Sequence, residues 1–171
     1  MTELVQSGLT FRITNAKSGT VVDLSGTDRQ SVTGWPSHGG DNQKWTVNWT
    51  GSGWTLRNVW SGLYLGLNGS PADGTRIVGV TTPVEWHIWH DTVNNSTYRI
   101  FVPNTHFNLD LYAQGNASPG NPITLWYTWN GVHQTWKFDR GTYSLRFCGP
   151  YLRSSDARTN ELLHSLKVNS T

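Results

Sequence analysis

The chain repeats itself three times, and that repetition limits its fold more than any other feature. Residues 11–15 followed by 18–24 overlay 54–58 and 61–67 at an offset of 43, and overlay 98–100 and 108–111 at an offset of 87. Each copy continues with a matching block, at 32–35, 77–80 and 123–126, and closes on a tryptophan, Trp45, Trp86 or Trp136. Gly, Asn, Asp and Pro clusters that read as turns divide each copy into four short alternating segments, which predicts twelve strands. A four-stranded unit of this length also suits a propeller blade, but three blades fall below the usual minimum of about four. What survives is an all-β chain folded as a β-trefoil, three four-stranded repeats with pseudo-threefold symmetry that share one core and cover each other's strand edges. The predicted domain is residues 1–140, with repeats at about 8–51, 52–95 and 96–140. The three closing tryptophans are expected to fill the core and touch no ligand.

Composition agrees with a turn-rich β fold: ten Trp and 18 Gly stand against 14% charged residues. The formal charge is only +2, and residues 1–140 hold nine basic and nine acidic side chains, so the excess lies in the last 31 residues. With no basic stripe, nucleic acid is not an expected partner, and a neutral domain suits a neutral ligand. Cys148 is alone, so no intrachain disulfide forms, the fold stands on packing, and a reducing compartment is acceptable. Residues 1–10 carry no apolar run of signal-peptide length and no stretch approaches a membrane span, so the expectation is a cytoplasmic protein without membrane insertion. The glycosylation patterns that begin at Asn48, Asn68, Asn95 and Asn116 would then stay unmodified.

Three features carry a family resemblance: Gln43-Lys44-Trp45 and Gln134-Thr135-Trp136 at the ends of copies one and three, Ser18-Gly19 leading to Asp23-Leu24, and residues 36–45 as a block. Over residues 8–140 the chain resembles the ricin B-type β-trefoil lectins, particularly the cysteine-poor ones of mushrooms. The resemblance implies a shallow sugar site in each copy, made of an Asp after the second strand, an aromatic on the third, and an Asn just before Gln-x-Trp. Copy one matches with Asp23, Trp35 and Asn42, and with Gln43 in a supporting position. Copy two has Gly66, Val80 and Pro83 at these places and is expected to be dead. Copy three keeps Asp110 and Trp126, has His133 where the Asn stands, keeps Gln134, and carries an insertion near residues 116–122. Trp129 and its neighbour Tyr127 fall close to this second candidate site. The implied ligands are galactose, N-acetylgalactosamine or lactose-type termini of glycoproteins or glycolipids, with no cofactor or metal.

The chemistry of sugars supports the same residues independently. A pyranose has a face of C–H groups and a rim of hydroxyls, so a binder needs an aromatic plane and fixed polar partners. Trp35 offers the plane. Asp23 accepts from adjacent hydroxyls with charge assistance, Asn42 both donates and accepts, and Gln43 fixes Asp23 or its loop. His38, in the loop before Asn42, is a further hydroxyl partner. Two plainer readings stand beside this one: Asp23 as a turn cap and Trp35 as a core residue.

No catalytic set assembles from the sequence. The six His residues show no metal-ligand spacing, and neither a phosphate-binding loop nor Gly-x-Ser-x-Gly is present. The competing class is a protein-binding trefoil, since the architecture is also similar to fungal protease inhibitors and to the light subunit that accompanies mushroom tyrosinase. A shallow site becomes useful when repeated, through copy three or through a homodimer. Residues 141–171 match no repeat and form an extension without an assigned role; Leu162, Leu163 and Leu166 would share one face of a short helix over 159–167.

Overall fold

The structure, a computed structural model, describes residues 4–140. Cys148, the extension and the helix expected over 159–167 lie outside the described residues. All twelve expected strands form. Copy one contributes β1 (Thr10–Asn15), β2 (Val21–Leu24), β3 (Val32–Trp35) and β4 (Trp45–Trp49). Copy two contributes β5 (Trp54–Asn58), β6 (Tyr64–Leu67), β7 (Ile77–Val80) and β8 (His87–His90). Copy three contributes β9 (Tyr98–Phe101), β10 (Phe107–Leu111), β11 (Asn121–Tyr127) and β12 (Trp136–Asp139).

The first and fourth strands of the copies close a six-stranded antiparallel barrel. β1 pairs with β4 and β12, β4 with β5, and β9 with β8 and β12. The remaining seam, between β5 and β8, is stitched by reciprocal Trp54–Trp86 backbone bonds of 2.8 Å. Closure leaves this barrel without a free edge. The three remaining hairpins, β2–β3, β6–β7 and β10–β11, cap one end and touch around the threefold axis through β3–β11 pairing and the Ser31–Val78 and Arg76–Thr124 bridges.

Strand alternation selects what faces the core. Phe11 and Ile13 of β1 and Trp45 and Val47 of β4 point inward, and their neighbours are half-buried. Trp45, Trp86 and Trp136 are fully buried, each donating its indole N–H to a second-strand carbonyl: Val22 at 2.9 Å, Leu65 at 3.0 Å and Leu109 at 3.2 Å. Burying the ring costs no unpaired polar group, because the cap hairpin supplies the acceptor. Where the cap hairpins converge, a Cβ at Gly34 would stand 2.7 Å from Leu111 Cδ1, so only glycine lets β3 approach the axis this closely.

The same alternation places the site. In β2, Val22 and Leu24 enter the core, so Val21 and Asp23 face the other way; directly opposite on β3 stand Trp35 and Thr33. In β10 and β11 the matching residues are Asn108 and Asp110 opposite Trp126 and Thr124. One expectation is corrected here: Asp23 and Asp110 lie within their second strands and are buried, not in surface loops after them.

Candidate functional site

In copy one, Asp23 is the centre of a cluster. Its Oδ2 accepts from Asn42 Nδ2 at 3.0 Å and Gln43 Nε2 at 2.8 Å, and His38 Nε2 lies 3.4 Å away. Gln43 is buried and also donates to Pro36 O, while its Oε1 accepts the backbone N–H of His38 at 2.9 Å. It therefore ties the carboxylate to the 36–38 loop. The second Asn42 amide hydrogen goes to Leu24 O at 3.0 Å, so toward a ligand Asn42 offers only its Oδ1. Among the described residues, neither Asp23 Oδ1 nor Asn42 Oδ1 has a hydrogen-bond donor.

A 3-10 turn, Asp41–Gln43, carries Asn42 and Gln43 together. It is held from the next copy: Asn58, buried at the end of β5, donates to Asn42 O at 2.9 Å. Copy three repeats this device, with Asn15 of copy one donating to His133 O at 2.8 Å above the turn Val132–Gln134. The corresponding position of copy three is Val102.

Trp35 is 41% exposed, which disposes of the core reading, and it lines a cavity of about 630 Å³ with Asp23, His38 and Asn42. Asp23, being mid-strand, is not a turn cap either. Sequence reasoning missed two other walls of this cavity, Trp60 from copy two and Gly120 from copy three. A copy-by-copy reading hides them because neighbouring copies supply them.

Copy three builds a variant of the same arrangement. Asp110 Oδ2 accepts from Gln134 Nε2 at 3.0 Å, and His133 Nε2 lies 3.2 Å from it, so His133 takes the place of the Asn42 amide. Gln134 Oε1 is held by Arg99 Nη1 at 2.9 Å, and Arg99 Nε in turn pairs with Asp91 at 2.6 Å. Burial lowers the pKa of His133 and raises that of Asp110, against the pull of the Gln134 and His133 bonds. Burial thus favours the neutral imidazole, with Nε2 facing Asp110 Oδ2. Asp110, Trp126, Trp129 and His133 line a cavity of about 310 Å³. Tyr127 does not join them; its ring lies beside His106 and Phe107. The extra residues begin earlier than expected, in a left-handed turn at Tyr112–Gly115 where Ala113 and Gln114 both have positive φ. Each such residue costs about 1–2 kcal/mol, and Tyr112, Ala113 and Gln114 form the wall of the smaller cavity.

Copy two assembles nothing comparable. Gly66 has no side chain, and the Val80 methyls stand 2.4 and 3.0 Å from where a Cβ on Gly66 would lie, so the position that holds Asp in the other copies is closed. Among the described residues no group of three or more His, Cys, Asp or Glu could hold a metal ion, and no helix there is long and apolar enough to cross a membrane.

The comparisons with known proteins agree with this fold. The ricin-type beta-trefoil lectin domain-like family matches residues 3–80. Comparison with the curated proteins yields no match. Among solved structures, the ricin B-like lectin of Macrolepiota procera, described in complex with lactose, is 58% identical over 81% of this chain and 99% of its own, with a TM-score of 0.80. The Rhizoctonia solani agglutinin is 32% identical with the same coverages and a TM-score of 0.72. A designed 3-fold symmetric protein, 21% identical over 75% of this chain and 96% of its own, shares the fold with a TM-score of 0.69. With a threefold of closing tryptophans and two Asp–Gln clusters in register, and with relatives of this identity and coverage, the chain belongs to the ricin B-like β-trefoil lectin family.

Proposed function

We propose that this protein is a carbohydrate-binding lectin without catalytic activity, that its main site is the copy-one cavity, and that it favours galactose or N-acetylgalactosamine termini of glycoproteins or glycolipids. The observation that carries the proposal is the half-satisfied Asp23 carboxylate: Oδ2 is fixed by protein donors, while Oδ1 and Asn42 Oδ1 remain as acceptors beside the exposed Trp35. Two adjacent hydroxyls of a sugar can donate to these oxygens while its C–H face lies on the indole. Galactose suits such a pair, because its axial 4-hydroxyl leaves a continuous C–H patch on one face. Support for this choice comes from the Macrolepiota relative and its lactose.

A site with one aromatic plane and few polar contacts gives a monosaccharide dissociation constant of about 0.1–1 mM. Multivalent display then does the work, raising apparent affinity by roughly 10²–10⁴. The copy-three cavity, with Asp110, Trp126, Trp129, His133 and Gln134, is the candidate second site, and a homodimer is the other route. We place the protein's action in the cytoplasm, in keeping with a sequence whose single cysteine, Cys148, allows no intrachain disulfide. The test is calorimetric titration of methyl galactoside into wild type and Asp23→Asn, beside binding to an immobilised galactose-terminated glycoprotein for wild type and Asp110→Ala. Asp23→Asn loses the monosaccharide. Asp110→Ala keeps it, and loss of surface avidity in that variant assigns the multivalency to copy three. Unaltered binding by Asp23→Asn overturns the copy-one assignment.

A further inference from the structure

The copy-one cavity has about twice the volume of its copy-three counterpart, 630 against 310 Å³. The pseudo-threefold shows why. Each site abuts the first turn of the next copy, so copy one meets the turn that carries Trp60, and copy three meets the turn that carries Lys17, its equivalent through the 43-residue offset. Lys17 Nζ donates to Gln114 O at 2.6 Å and ties down the left-handed turn that walls the copy-three cavity. In copy one the β2–β3 turn instead folds on itself. Ser25 Oγ accepts from the backbone of Thr27 and Asp28, and the Asp28 carboxylate accepts from Ser31 Oγ, Gln30 N and Ser31 N at 2.6–2.9 Å. The space in front of Trp60 stays open. Trp60 is 42% exposed, and the Arg29 guanidinium sits 5.1 Å from its ring centroid, which fixes the indole plane.

We propose that the copy-one cavity binds two consecutive rings of a glycan, the terminal one on Trp35 and Asp23 and the next on Trp60 of copy two. The proposal rests on the carbohydrate reading of the same cavity. Ser25 Oγ bonds the Asp28 carboxylate and accepts the Thr27 and Asp28 N–H groups, so the turn in front of Trp60 is held by its own bonds.

The test is titration of methyl galactoside, lactose, melibiose and lactobionate into wild type, Trp60→Ala and Trp60→Phe. Wild type binds at least one of the two disaccharides about two- to tenfold more tightly than methyl galactoside, the range expected of one aromatic contact. Lactobionate, whose second unit is an open chain and offers no ring to Trp60, shows no such gain. Trp60→Ala abolishes the disaccharide gain, so that its disaccharide and methyl galactoside affinities converge, and Trp60→Phe restores most of the gain. A disaccharide gain that survives in Trp60→Ala, no gain in wild type, or lactobionate binding as well as lactose overturns the two-ring proposal alone. Failure of wild type to bind methyl galactoside overturns the carbohydrate reading as well.

Discussion

Copy two lacks the Asp, aromatic and Asn of the candidate site but keeps its core tryptophan, so Trp86→Ala separates what the fold requires from what the candidate site requires. Trp86 is fully buried and donates to Leu65 O at 3.0 Å. Truncation removes a large aromatic from the shared core at about 3–5 kcal/mol and leaves the Leu65 carbonyl to find another donor, which adds about 1 kcal/mol where it fails. For a domain of this size that loss corresponds to a fall in Tm of roughly 6–20 °C. Because Trp45 and Trp136 occupy equivalent places with equivalent bonds to Val22 O and Leu109 O, their Ala variants should fall within the same range. The assay is calorimetric or circular-dichroism melting of the three variants, with Trp86→Phe as a partial rescue that keeps an aromatic ring but loses the indole bond. A Trp86→Ala protein that melts within 2 °C of wild type, while the other two are strongly destabilised, would show that copy two does not share the core as equal threefold packing demands.

Two further outcomes follow from the buried polar groups. Gln43→Glu sets a second carboxylate against Asp23 Oδ2 in place of a 2.8 Å donor; it should destabilise the native state by about 2–4 kcal/mol at neutral pH and weaken galactoside binding, both read by melting and titration. In copy three the folded pKa of His133 is lowered by burial, so the unfolded chain takes up the proton first. The contribution of the neutral imidazole is therefore complete above the unfolded histidine value of about 6.5 and lost as pH falls below it. The Asp110 carboxyl, raised by burial, acts in the opposite sense at lower pH, where its protonation favours the native state. A melting series should accordingly show stability declining from pH 7.5 to 5.5, and His133→Asn, which copies the Asn42 arrangement, should flatten that slope.

Much of the fold was legible because strand periodicity and the 43-residue offset are local, repeated signals. Phe11, Ile13, Trp45 and Val47 alternate visibly, and three Trp in register mark three equivalent core positions. The burial of Asp23 was not legible. It follows from β2 being covered on both faces, and from donors at Asn42 and Gln43 that only the folded chain brings to it. Asn15 and Asn58 were visible as repeated letters, but their work on the 3-10 turn of the preceding copy depends on which copies adjoin. Trp60 and Gly120 were hidden for the same reason. The left-handed turn at Ala113 and Gln114 was illegible because neither residue type announces a positive φ.

The central claim, a galactoside on Trp35 in copy one, is tested most directly by ¹H–¹⁵N spectra of the ten tryptophan indoles during titration with methyl galactoside. The account predicts that the Trp35 indole resonance moves with the binding isotherm, while the buried Trp45, Trp86 and Trp136 indoles, bonded to backbone carbonyls, stay nearly still. Assignment by Trp35→Phe removes the moving peak. A Trp35 indole that remains fixed at saturating galactoside would contradict the account, whether the shifts then appear at Trp126 and Trp129 or nowhere.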